Sequence, residues 1–133
     1  MILSSRGGAE AVVIKRGQAV ISVWEEADYL NSTLSKVMDH HIQGTDVLSR
    51  KNIHNQNADD RDCRDLKEIV SKEGAVPPED VPGPVPYIIN TEYFCEVNGH
   101  KYVTVLRNFE GDKRQAMYEQ IALRIAESLR TGE

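Results

Sequence analysis

The pair Asn98-Gly99 constrains this chain more than any other two residues. A two-residue loop of type I′ needs positive φ at both positions, which Asn tolerates and Gly adopts freely. On either side stand β-rich runs, residues 93–97 (Tyr-Phe-Cys-Glu-Val) and residues 100–106 (His-Lys-Tyr-Val-Thr-Val-Leu). The sequence predicts a β-hairpin there, whose first strand can begin as early as Tyr87. A second hairpin is predicted from two shorter β-rich runs, residues 10–15 and 18–23, joined by Arg16-Gly17.

Between the hairpins the apolar period changes from two to three and four. Ala27, Leu30, Leu34, Val37 and His41 form one stripe, flanked by Met38 and Ile42, and predict an amphipathic helix that stops near Gly44. Residues 43–57 hold few apolar side chains and read as a polar connection. Asn57 then resembles a helix N-cap, with Asp59, Asp60 and Asp62 where the helix dipole favours acids. Cys63, Leu66 and Val70 would be the buried face of that second helix, and Gly74 its end. A last helix is predicted over 113–130. It opens on Asp112 with Gln115 three residues on, carries the stripe Tyr118, Ile121, Ala122, Ile125 and Leu129, and ends at Gly132. Leu123 and Met117 lie off that stripe.

All five prolines fall between Pro77 and Pro86. Proline lacks the amide hydrogen and cannot continue a helix or a central strand, so residues 76–86 are expected to be a stiff extended connector. Residues 1–8 read as a flexible N-terminus, and 9–131 as one domain. The expected fold is α+β, with an antiparallel sheet of two hairpins, about three helices on it, and the order β-β-α-α-β-β-α.

Of the 133 residues, 40% are hydrophobic and 28% charged, with a net charge of −5. Both signs are spread along the chain, which argues against a general affinity for nucleic acid or membrane surfaces. No apolar run approaches a membrane span or the core of a secretory signal, so the expectation is a soluble, cytoplasmic protein. The two cysteines, Cys63 and Cys95, are too few for a disulfide framework and are expected to be free thiols.

No motif for catalysis stands out. A Gly-rich phosphate loop, a nucleophile elbow and a paired-cysteine zinc signature are all missing. His40 and His41 are neighbours, which on a helix point about 100° apart and cannot chelate one ion. Asn55, Asn57 and Asp59 imitate the start of a calcium loop, but Leu66 stands where its bidentate acid belongs. Cys63 sits among four acids, which disfavour a thiolate. The expectation is therefore no metal, no cofactor and no catalytic set.

One cluster invites a ligand. Tyr93, Lys101, Tyr102, Arg107, Lys113 and Arg114 fall on the second hairpin and the start of the last helix. Cations at a helix N-terminus oppose the dipole, so a phosphate-bearing partner would suit Lys113 and Arg114. The C-terminal half resembles a double-stranded RNA-binding domain in the residues Gly74-x-x-Pro-Pro, the Asn98-Gly99 turn and Lys113-Arg114-x-Ala116 opening the last helix. That resemblance implies an α-β-β-β-α order from a helix over 66–72 onward, and phosphate contacts by the basic tract. It departs at Met117, where the family carries a further basic residue.

The function these features imply is a small non-catalytic binding protein acting as a homodimer, on the strength of open sheet edges and surplus apolar residues on the last helix. Two rivals stand beside it. One is the RNA-binding module. The other is a small ligand-binding protein or enzyme with a pocket, using groups such as His41, His100, Tyr93 or Arg107.

Overall fold

The computed structural model describes residues 12–26, 33–56, 58–59, 61–74 and 86–130. Six strands form one antiparallel sheet: β1 (Val12–Arg16), β2 (Ala19–Glu25), β3 (Asp46–His54), β4 (Asp65–Glu73), β5 (Ile88–Val97) and β6 (His100–Phe109). Two helices accompany them, α1 (Leu34–Ile42) and α2 (Gln115–Glu127). The strand order is β1-β2-β6-β5-β4-β3, so the last hairpin formed by the chain sits at the centre of the sheet.

That hairpin turns at Asn98 and Gly99, with φ of 50° and 83°, and pairs Val97 with His100. Its ten paired positions hold β5 and β6 in register from the turn to Ile88 and Phe109. The first hairpin also forms, one residue later than expected, with Gly17 at φ 61° and Arg16 opposite Ala19.

Because side chains alternate along a strand, the sheet has two distinct faces. On one face α2 lays Tyr118, Ala122 and Ala126, and the segment after it Leu129, over Ile21, Val23, Tyr93, Cys95, Tyr102 and Leu106. On the other, α1 lays Val37 and Met38 over Ile69, Phe94 and Val103, with Trp24 and Val105 at the margin. Thr33 caps α1, its Oγ1 accepting from the Lys36 amide at 3.2 Å. The amide of Arg114 donates to Asp112 Oδ1 at 2.8 Å, one residue before α2 begins.

The expected order β-β-α-α-β-β-α with three helices is corrected to β-β-α-β-β-β-β-α with two. The expected second helix is β4. Leu66, Ile69 and Val70 have helical spacing, but on this strand Leu66 enters the core under α2 and Ile69 the core under α1. A strand covered on both faces loses its simple alternation, and helix and strand become indistinguishable by period. The polar connection over 43–57 contains β3, an edge strand exposed at every position but Ile53. Such a strand needs no apolar signal, and its charges and its irregular register around Leu48 are the usual guards of an open edge. With β4 a strand, the α-β-β-β-α order implied by the likeness to double-stranded RNA-binding domains is also absent. The expected start of the first helix, the Asn57 cap, the end at Gly132 and most of the proline connector lie outside the described residues.

The expectation of free thiols is overturned too. Cys63 and Cys95 are joined by a disulfide, with Cα atoms 5.8 Å apart, and both are buried under the end of α2. The Cys63 amide donates to Leu129 O at 2.9 Å, and Asn55 Nδ2 reaches Cys63 O and Glu127 O. The loop between β3 and β4 is thus tied to the sheet centre and to the C-terminal end of α2. Disulfides persist in oxidising compartments, so the cytoplasmic expectation loses the support that free thiols gave it. Among the described residues no helix is long and apolar enough to cross a membrane.

Closing a loop across a sequence separation of 32 restricts the unfolded chain by about 3–4 kcal/mol. Cys95→Ala is expected to lower the unfolding free energy by about that amount in urea titrations. Two titratable thiols in the unfolded, unreduced protein would show that the bridge does not form.

Candidate functional site

Six strands spaced about 4.8 Å apart give a face roughly 24 Å wide, whereas a helix of nine residues is about 13.5 Å long and 10 Å across. One helix cannot cover such a face. Beside α1 the described residues leave a cleft of about 320 Å³ on the sheet. Its floor is Val20 and Ser22 of β2 and Val105 of β6; one wall is Trp24, His41, Gln43 and Thr45; the other is Glu73, Asn90, Glu92 and Arg107. A smaller hollow of about 110 Å³ adjoins it, sharing Val20 and Arg107 and adding Ile88 and Phe109.

His41, in the last turn of α1, is the most tightly held group of the cleft. Its Nε2 lies 2.8 Å from Glu26 Oε1, and its Nδ1 lies 3.2 Å from Glu92 Oε2. Trp24 Nε1 donates to the same Glu26 oxygen at 2.8 Å. The imidazole stacks on the Trp24 ring (5.5 Å, 20°) and meets Phe94 edge-on (5.4 Å, 84°). A neutral imidazole has one N–H and could serve only one carboxylate; two carboxylates require the imidazolium. Burial pushes the His41 pKa down, but the hydrogen bonds and charges of Glu26 and Glu92 outweigh it and raise it to about 9. The hydrogen bond from His41, opposed by burial, holds the Glu26 carboxyl below its usual range.

The opposite wall is a second network. Glu73 Oε1 accepts from Asn90 Nδ2 at 3.1 Å and lies 3.1 Å from an Arg107 guanidinium nitrogen. Asn90 and Glu92 are both buried, although they stand on the face that the cleft leaves open.

Only one of the six expected ligand residues reaches this cleft: Arg107. Tyr93 and Tyr102 point to the other face and are buried beneath α2. Burial first, and then the charge of Glu68, pushes the Tyr93 hydroxyl well above its usual pKa. Lys101 shares the cleft's face but is buried at its far end, with Nζ 3.5 Å from Glu96. Lys113 and Arg114 are exposed in the turn before α2, where Arg114 lies 3.6 Å from Asp112 and over the Tyr118 ring. Of the groups named for a pocket, His41 joins Arg107 in the cleft, whereas His100 pairs with buried Glu25 on the α2 face. Trp24, Glu26, Glu73, Asn90 and Glu92 were not anticipated. The available signal was polarity out of place: Asn90 and Glu92 interrupt an otherwise strongly β-forming run.

A folded-state pKa above the unfolded one means that His41 stabilises the fold fully below about pH 6.5, and that this contribution is lost as pH rises through about 9. Its size is on the order of 3 kcal/mol. His41→Gln is expected to flatten the fall in stability between neutral pH and pH 9–10. NMR titration of the His41 ring should show a midpoint near 9; a midpoint near 6.5 would mean that the two carboxylates do not hold it.

No family model matches the chain, and no curated protein matches it. Among solved structures it is similar to PA94 from Pseudomonas aeruginosa, a protein of unknown function suggested to be a regulator. The TM-score is 0.58 at 11% identity, over 86% of this chain and 80% of that one, so the likeness is one of fold alone.

Proposed function

We propose that this chain is a small non-catalytic binding protein that receives its ligand in the half-open cleft beside α1 and acts as a homodimer. The cleft carries the proposal: it is a concave site of about 320 Å³ with Val20 and Val105 on its floor and polar groups converging from its walls, and ligands bind preferentially in such concavities. Its chemistry favours holding over reacting. An imidazolium fixed between two carboxylates has no lone pair with which to take a proton at neutral pH, and the Arg107 charge is engaged by Glu73. The dimer is favoured by the sheet edges. Among the described residues β1 and β3 each pair on one side only, and β3 exposes Val47 and Leu48.

Ser22→Phe places a ring on the cleft floor. Ligands found by saturation-transfer NMR from a mixed small-molecule library are expected to lose at least about tenfold in affinity to this variant, while its unfolding midpoint stays close to that of the wild type. Ligands that bind both proteins equally would remove the cleft as the site. Light scattering should give twice the chain mass of 15.0 kDa; a monomer at every concentration would remove the dimer.

A further inference from the structure

The two cations of the cleft are both committed. Arg107 lies against Glu73, and His41 is shared by Glu26 and Glu92. Three carboxylates therefore face two positive charges, which leaves the site one negative charge in excess. The deficit falls on Glu92. It lines the cleft with 4% of its surface exposed, and among the described residues its Oε2 has one partner, the shared imidazolium 3.2 Å away. A buried carboxylate with half a counter-ion is costly, and a cation arriving from the cleft would relieve that cost. Among the described residues that line the cleft, an anion would meet no positive group without a carboxylate partner.

The surroundings narrow the cation further. Glu73 and Asn90 stand beside Glu92 as additional acceptors, and Trp24 is an aromatic wall of the kind that attracts ammonium groups. Val20 and Val105 make the floor apolar, and the adjoining hollow is lined by Val20, Ile88 and Phe109. A bare metal ion would leave those apolar surfaces without a partner. A charged nitrogen on a hydrocarbon stem uses both parts of the site.

We propose, on the basis of the cleft-binding reading above, that the ligand is an alkylammonium, with its charged nitrogen at Glu92, Glu73 and Asn90 and its methylenes over Val20, Val105 and the adjoining hollow. The source of that group can be a free diamine or polyamine, or the side chain of a lysine in a partner protein. Calorimetry with 1,5-diaminopentane and with Nα-acetyl-lysine N-methylamide distinguishes the two, because the peptide-like probe adds backbone amides that only a protein partner would supply. At least one of these probes is expected to bind at least about tenfold more tightly than 1-pentanol, its uncharged counterpart, and to perturb the Trp24 indole N–H resonance. Glu92→Gln and Glu73→Gln should each weaken the amine by about tenfold, the usual consequence of removing a charge from a charge-assisted contact.

Amines that bind no better than the alcohol would overturn the proposal, as would affinity unchanged in both glutamine variants. The wild-type comparison of amine with alcohol holds even where a variant fails to fold. If other ligands still sense Ser22→Phe while amines do not bind, the ammonium assignment falls and the cleft stands; if no ligand senses Ser22→Phe, the cleft itself falls.

Discussion

Everything in this structure is referred to the pairing of β5 with β6. The Asn98-Gly99 turn fixes the register of ten residue pairs, and the two flanking hairpins dock on the outer edges of that central ribbon. β2 pairs with β6 and β4 with β5, so each half of the N-terminal chain contributes one side of the sheet. A slip of one residue in the central pair would turn one strand over relative to the other. Were β5 to shift, Phe94 would leave the core under α1 and Tyr93 the core under α2.

The parts of the fold that were legible in the sequence are those determined locally. The central hairpin was announced by a turn that only certain residues can make, and the first hairpin by Gly17 between two β-rich runs. The stripe of α1 was visible in Val37, Met38 and His41, and that of α2 in Tyr118 and Ala122. β4 was illegible because its character depends on what covers it. Leu66 and Ile69 are both apolar since each face of the sheet carries a helix, and nothing in their spacing separates that case from a helical stripe. The acids before Leu66 and the Gly74 after it supplied plausible caps for a helix that does not form. β3 was hidden for the opposite reason, as an edge strand with almost no buried side to read.

The candidate site was legible in two residues, His41 and Arg107, and obscured by a simple geometrical fact. The expected ligand cluster drew Lys101 and Tyr102 together because they are adjacent in sequence, yet neighbours on a strand point to opposite faces. Tyr93 and Tyr102 thereby went to one core, and Lys101 and Arg107 to the other side of the sheet. What assembles the cleft instead is register. Trp24 lies opposite Val103 in β6, a pairing across much of the chain, and Asn90 lies opposite Arg107 within the central hairpin. No window along the sequence contains that arrangement.

The placement of His41 in the final turn of α1 has a mechanical consequence. The carbonyl end of a helix carries partial negative charge, so the imidazolium is attracted by its own helix as well as by Glu26 and Glu92. The far end is held by the Thr33 cap and by apolar packing, neither of which is ionic. Among the described residues, the ionic restraint on α1 is thus concentrated at the end that meets the cleft, beside Gln43 and Thr45 on its rim.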